Sequence, residues 1–306
     1  MRFFPYRFRR RSKELLELVK SILITHKEML PLTLRQIFYL VISEEESPLE
    51  NTLKDYRRLG RLLINARYAG EIPFEWIEDR TRFTSNLPIP LSEILDYYYP
   101  EAWKHQPNYI EVFVEKEGLR NFFRRILYPY YIPVTPMRGF DSLSDVMDSA
   151  KRIHAYRDRL RFIYLFSDFD PSGEAISEDF EFRLKKCLVM LGEDPSIYSE
   201  KPKLIEMPNL YCSKIALTRE QVEEFNLPPK YVKLRDPRAS SFIEKYGEKA
   251  VVELDAMPPE VLKRITLEAI IPYLDLEEVK RIRELQIRIK TEGLEMLVSL
   301  IGLEEE

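Results

Sequence analysis

The chain predicts an α/β protein in which a small, helical, basic domain precedes a mostly parallel sheet and a helical tail. Three observations carry that prediction. From Tyr109 onward, short apolar runs alternate with longer helix-compatible stretches, the pattern of parallel strands joined by right-handed crossovers. Two of those runs end in acidic clusters, Val114-Glu115-Lys116-Glu117-Gly118-Leu119 and Ser167-Asp168-Phe169-Asp170-Pro171-Ser172-Gly173. The stretch before residue 84 instead reads as capped amphipathic helices with a basic excess.

In chain order, Ser12 is placed to cap a helix running to about His26, Thr33 to cap a helix through Tyr39, and residues 49–69 read as a third. Ser and Thr suit those starts because their side chains accept from the free N–H groups of a first turn. Gly70, Pro73 and the mixed segment through Trp76 and Phe83 would form a wing and its approach. Residues 1–84 are therefore expected to be a basic arm and a winged-helix domain. Residues 85–107, with Pro88, Pro90, Pro100 and Pro107, read as a linker carrying a short helix around Ile94.

Residues 108–306 form the second domain. Strands are expected at 110–115, 132–135 and 162–166, helices at 119–127, 143–156 and 175–191, and a further strand near 204–207 would complete the sheet. Residues 216–221 hold a capping-box start. Residues 276–303 carry an apolar stripe suited to core or dimer packing.

A length of 306 residues suits two domains, each with its own core. Cys187 and Cys212 are too far apart in sequence for a zinc ribbon or a disulfide framework. His26, His105 and His154 lack metal-ligand spacing and offer no Ser/His/Asp arrangement. No apolar run approaches a membrane span. Arg9-Arg10-Arg11 is followed by Glu14, Glu17 and Lys20 rather than by the apolar core of a signal sequence, so a cytoplasmic, nucleoid-associated protein is expected.

The net charge of −4 conceals an asymmetry. Up to Arg82 there are 16 Lys or Arg against 12 Asp or Glu, and the excess lies before Val41. That distribution fits DNA contact by the first domain, with Arg9, Arg10 and Arg11 either gripping DNA or forming a solvated arm.

The acidic clusters carry the chemistry. Each sits where a strand ends, and in an open α/β sheet that edge is where ligands bind. Asp168 and Asp170 are two apart, so in an extended segment both side chains point the same way, and Pro171 and Gly173 then turn the chain into a helix. Glu115 ends a neighbouring strand. Three carboxylates gathered there suggest a divalent-metal site and phosphate chemistry; the plainer reading of Asp-x-Asp is a helix N-cap.

A strand-end Glu followed by a strand-end Asp-x-Asp-x-x-Gly resembles the Toprim domain of topoisomerases, primases and some nucleases. Asp-Phe-Asp-Pro-Ser-Gly at 168–173, with Glu-Lys-Glu-Gly-Leu at 115–119, is most similar to the A subunit of topoisomerase VI and the related meiotic break-forming proteins. Upstream, Arg35-Gln36-Ile37-Phe38-Tyr39 matches the order in which those A subunits present their nucleophilic tyrosine. Residues 216–221, 226–229, 235–239 and 252–259 resemble segments of short, stand-alone A-like proteins associated with mobile elements.

The resemblance implies Mg²⁺-dependent DNA cleavage. Tyr39 would be the nucleophile, forming a 5′-phosphotyrosyl link, and Glu115, Asp168 and Asp170 would hold one or two Mg²⁺ ions, with Mn²⁺ able to substitute. Arg35 is a phosphate clamp or a surface helix residue. Arg138, on the same sheet edge, is a phosphate contact or a loop arginine. The partners implied are double-stranded DNA and a second copy of the chain, the winged helix of one subunit facing the Toprim site of the other. Only about thirty residues precede the first domain's Tyr39 helix, where A subunits carry a longer extension for their ATPase B subunit, so such a partner is doubtful. Without a phosphate loop of its own, the chain is not expected to pass strands alone.

Two other readings stay open. Leu34, Ile37, Phe38 and Val41 share helical spacing with Tyr39, which would make the tyrosine core. The same acids could then activate water in a hydrolytic nuclease, or the protein could bind DNA without catalysis. Glu253 and Asp255 read as flanking a buried strand, or else as orienting the metal site from outside it.

Overall fold

The computed structural model describes residues 6–78, 102–137, 143–232, 236–247 and 250–301. Helix α1 (Arg10–Thr25) starts at Arg9 rather than at Ser12. The Arg9 carbonyl accepts from Ser12 N and Lys13 N, both at 2.9 Å, so an extended backbone starts the helix without a capping side chain. Ser12 falls inside the first turn.

Helix α2 (Leu34–Ile42) begins as the sequence suggests. Thr33 Oγ1 accepts from Gln36 N at 3.2 Å, and Gln36 Oε1 accepts from Thr33 N at 2.9 Å, a reciprocal capping box. Helix α3 (Leu53–Ala69) is capped by Thr52 and closed by Gly70 at φ 78°, a backbone setting that glycine adopts without a Cβ clash. Leu15, Leu16, Val19 and Leu23 of α1, Ile37 and Val41 of α2, and Leu59, Leu63 and Ala66 of α3 are all buried in the hydrophobic core. Strand β1 (Leu32–Thr33) pairs in parallel with β2 (Ile77–Glu78). Residues 79–83 of the expected wing and its approach, the linker as far as residue 101 with the helix around Ile94, and Arg138 lie outside the described residues.

The second part is α/β. Strands β3 (Asn108–Val114), β4 (Val134–Pro136), β5 (Leu160–Phe166) and β8 (Leu210–Ala216) form one parallel sheet in the order β4-β3-β5-β8. Strands β3 and β5 lie side by side through seven residue pairs, from Asn108 with Leu160 to Val114 with Phe166. Both are buried along almost their whole length, as strands covered on both faces must be. Helix α4 (Glu117–Leu127) packs against β1 and β4, whereas α5 (Leu143–His154) and α6 (Pro171–Met190) pack on one another.

The expected fourth strand near 204–207 is corrected. Strand β7 (Lys203–Glu206) pairs with β6 (Ile197–Glu200) in a separate antiparallel hairpin, and the sheet is completed by β8. Strand β8 mixes Tyr211, Ser213 and Lys214 with apolar residues because it is an edge strand, so it lacks the continuous apolar run of its neighbours. Helices α7 (Arg219–Glu224), α8 (Ala239–Tyr246), α9 (Pro259–Ile270) and α10 (Leu276–Ile301) follow. No helix among the described residues is long and apolar enough to cross a membrane.

Two braces matter for the site. Arg125 of α4 donates to the Pro31 carbonyl at 2.6 Å, tying the amino-terminal helices to the sheet layer. At the amino end of β5, buried Arg161 donates to both oxygens of Glu193 at 2.7 and 2.8 Å, and His154 Nδ1 lies 2.9 Å from the same carboxylate. Burial alone would raise the Glu193 carboxyl, but the Arg161 and His154 contacts outweigh it and hold it below its ordinary value.

Candidate functional site at the carboxyl edge of the sheet

The parallel ladder runs past the strand ends. Glu115 N donates to the Phe166 carbonyl at 2.8 Å, and Ser167 N to the Ala216 carbonyl at 2.8 Å. Glu115 and Asp168 are therefore set side by side, and Glu115 Oε2 accepts from Asp168 N at 2.9 Å. The turn is locked from below, where Ser167 Oγ meets the Gly173 carbonyl at 3.2 Å and Ser177 Oγ at 3.0 Å. A Cβ on residue 173 would stand 2.3 Å from the Asp168 carbonyl oxygen, which is why glycine is required there.

Asp168 and Asp170 have different duties. Asp170 caps α6, accepting from Gly173 N at 2.6 Å, which is the plainer N-cap reading realised. Asp168 Oδ1 accepts from Leu254 N at 2.8 Å, and its Oδ2 lies 2.9 Å from Lys116 Nζ. Between the two acids, Phe169 exchanges both backbone hydrogen bonds with Val252, at 2.8 and 2.9 Å. That bridge delivers Glu253 and Asp255 into the site.

Lys116 then takes a central place. Its ammonium lies 2.9 Å from Asp168 Oδ2, 2.9 Å from Asp255 Oδ2 and 3.2 Å from Glu253 Oε2. Glu253 also receives Lys230 Nζ at 2.8 Å and Arg35 Nη1. Lys214 Nζ donates to the Asp168 carbonyl at 3.0 Å and to Glu174 at 2.5 Å. Arg35 thus joins α2, and with it Tyr39, to the acids of its own chain.

The charges are unevenly satisfied. Burial, together with Glu115, pushes the Asp168 carboxyl up to about 7 against the pull of Lys116. Burial and the nearby Asp170 also raise Glu115. Burial opposes the Lys116 charge, but Asp255, Asp168 and Glu253 keep it protonated well above its ordinary range. Glu253 is buried too, yet Lys116, Lys230 and Arg35 hold it far below the usual carboxylate range. One lysine shared among three acids suffices for Glu253, which has two other cations, and not for Asp168.

Tyr39 is 3% exposed and serves both as core and as cavity wall. With Arg35, Asn51, Tyr56, Lys230 and Glu253 it borders a cavity of about 400 Å³. Lys230 Nζ lies 5.3 Å from the centre of its ring, and the Arg35 guanidinium 5.5 Å from that of Tyr56. Burial, then Glu253, raises the Tyr39 hydroxyl above its usual value, while Lys116 and Arg35 act in the opposite direction.

Among the described residues no group of three or more His, Cys, Asp or Glu side chains is arranged to hold a metal. The donor chemistry nevertheless suits a hard divalent ion: Glu115, Asp168 and Asp170 offer only oxygen, and two of the three have raised pKa values that a second cation would relieve. Arg9, Arg10 and Arg11 are exposed at the start of α1, where Arg10 Nε lies 3.3 Å from Glu14; no described contact links them to the acids.

The reading of Glu253 and Asp255 as flanking a buried strand is corrected. Glu253 precedes a short 3₁₀ turn, Leu254–Ala256, and Asp255 lies within it; both carboxylates contact Lys116. Sequence reasoning also missed Lys116, Lys214 and Lys230. Lys116, between two glutamates at a strand end, was the one visible signal; nothing local marks Lys214 or Lys230. No known family model matches the chain, and no curated protein is significantly similar to it.

Proposed function

We propose that the chain is a DNA-cleaving enzyme of the topoisomerase VI A type, acting by tyrosine transesterification at the carboxyl edge of its sheet. The observation that supports this best is the Arg35–Glu253 pair, which sets the Tyr39 helix against the Lys116, Asp168 and Asp255 cluster within one chain. Tyr39 Oη forms a bond to a backbone phosphorus while the bond to the 3′ oxygen breaks; the tyrosine hydroxyl gives up its proton, and the departing 3′ oxygen takes one up to become a hydroxyl. The 5′ phosphate stays on the enzyme. Arg35 orients the phosphate by paired N–H donors. Glu115, Asp168 and Asp170 would hold Mg²⁺, which supplies charge neutralisation at the phosphate when bound.

A tyrosine buried beside Glu253 is a poor nucleophile until the local negative charge is lowered. The closed arrangement is thus a resting form. Two copies, each with one site, would cut the two strands of a duplex. The raised Tyr39 hydroxyl also favours a second reading, in which the acids activate water and the protein is a Toprim-type nuclease.

The deciding experiment incubates the protein with supercoiled DNA and Mg²⁺, quenches in detergent and looks for protein bound covalently to DNA ends. Attachment that disappears in Tyr39→Phe is the expected result. Cleavage that persists in Tyr39→Phe without attachment would establish hydrolysis instead. Intact DNA in both would overturn both readings.

A further inference from the structure

We infer that the Glu253 carboxylate fills an anion site made for the phosphodiester of a nucleic-acid strand, and that the strand enters by displacing it. Three cations from three separate segments converge on this one side chain: Arg35 from α2, Lys116 from the turn between β3 and α4, and Lys230 from the segment bridged to Val251. A single ion pair would neutralise a carboxylate. A phosphodiester carries the same single charge and likewise presents two oxygens to donors, so the same cradle serves it.

The surroundings allow the exchange. The Arg35 and Lys230 side chains remain 41% and 35% exposed, and both border the cavity of about 400 Å³. Asn51 Nδ2, on the same cavity, is buried with no hydrogen-bond partner among the described residues, a spare donor for a phosphate oxygen. Tyr56, half-buried on the same cavity, supplies an aromatic wall that a base can pack against and free phosphate cannot use. When Glu253 leaves, Lys116 keeps Asp168 and Asp255, while Arg35 and Lys230 are released to the strand. Arg35 and Lys230 thus pass from one single negative charge to another, and the exchange leaves the net charge around them unchanged.

This deepens the cleavage reading by naming what loads its site, and it is tested by binding alone. A fluorescein-labelled single strand of about twelve nucleotides is titrated with the full chain in EDTA, and binding is read as anisotropy over a range of salt. Glu253→Gln, which preserves shape and removes the competing charge, is expected to tighten binding about tenfold. Adding Lys230→Met is expected to remove most of that gain and lower the salt slope by about 0.7. Inorganic phosphate as competitor is expected to displace the strand only weakly.

Unchanged affinity in a folded Glu253→Gln overturns the inference, as does a gain that survives Lys230→Met. A gain for inorganic phosphate without one for the strand overturns the nucleic-acid assignment. Should Glu253→Gln melt before the assay temperature, Lys230→Met alone is expected to weaken wild-type binding, and no change there overturns the inference. Tightened binding without covalent attachment in Mg²⁺ would keep this inference while removing the cleavage reading.

Discussion

Strand β5 carries a buried charge cluster at each end, and the two are built on opposite principles. At its amino end, Arg161 and Glu193 match fork to fork with His154 alongside, and Glu193 sits below its ordinary pKa. At its carboxyl end, Glu115 and Asp168 are crowded and sit above theirs, and Asp168 shares Lys116 with Glu253 and Asp255. In the first cluster the carboxylate is satisfied within the fold, although Arg161 Nε is buried with no partner among the described residues. The second retains electrostatic tension of the kind that marks functional sites, and a further cation or a change of partner would relieve it.

That contrast can be broken first at its stable end. Glu193→Gln leaves Arg161 buried without a counter-charge and is expected to cost about 3–5 kcal/mol, measured by denaturant unfolding, while leaving DNA affinity per folded molecule unchanged. A cost within the range of surface substitutions would show that the two ends do not differ in kind.

A smaller effect is expected at the turn. Gly173→Ala forces a methyl against the Asp168 carbonyl and is expected to cost about 1–3 kcal/mol, with loss of any cleavage, because α6 can move away only by carrying Asp170 with it. Full stability and full activity in this variant would mean that the turn yields freely.

The smallest effect sharpens the comparison through pH. The Asp168 carboxyl is raised to about 7 from its ordinary 3.8, so between those pH values the folded chain binds more protons than the unfolded chain. The slope of stability with pH is then negative: this group's contribution is fullest near pH 4 and is lost as pH rises through about 7. Asp168→Asn is expected to flatten that fall, by on the order of 1 kcal/mol. An unchanged pH profile would place the tension elsewhere in the cluster.

The elements that were legible in sequence are those whose signal is local. The apolar runs of β3 and β5 are buried on both faces, so their composition alone marks them, and the Thr33 capping box is a contact within four residues. Strand β8 escaped because its alternation is broken by its place at the sheet edge. Half of the candidate site was legible for the same reason: Glu115, Asp168 and Asp170 follow strand ends directly. Glu253 and Asp255, which the sequence offered for the site only as the lesser of two readings, enter through the backbone bridge between Phe169 and Val252, residues more than eighty positions apart, and Lys230 through its own bridge to Val251; no periodicity announces either contact. Lys116 was in plain view, but its function depends on those distant partners.

The span of the Arg35–Glu253 pair also sets an order of assembly. The two residues are 218 positions apart, so a chain emerging from the ribosome can form α1 to α3, and then much of the parallel sheet, before the 250–257 segment exists. Closing so long a loop comes late, because its entropy must be lost before the contact rewards it. A nascent or truncated chain would hold its carboxylates with Lys116 alone and leave Arg35 open to any polyanion nearby. Arrival of the last fifth of the chain would then set Glu253 against Arg35, so that synthesis itself is the step that closes the cluster.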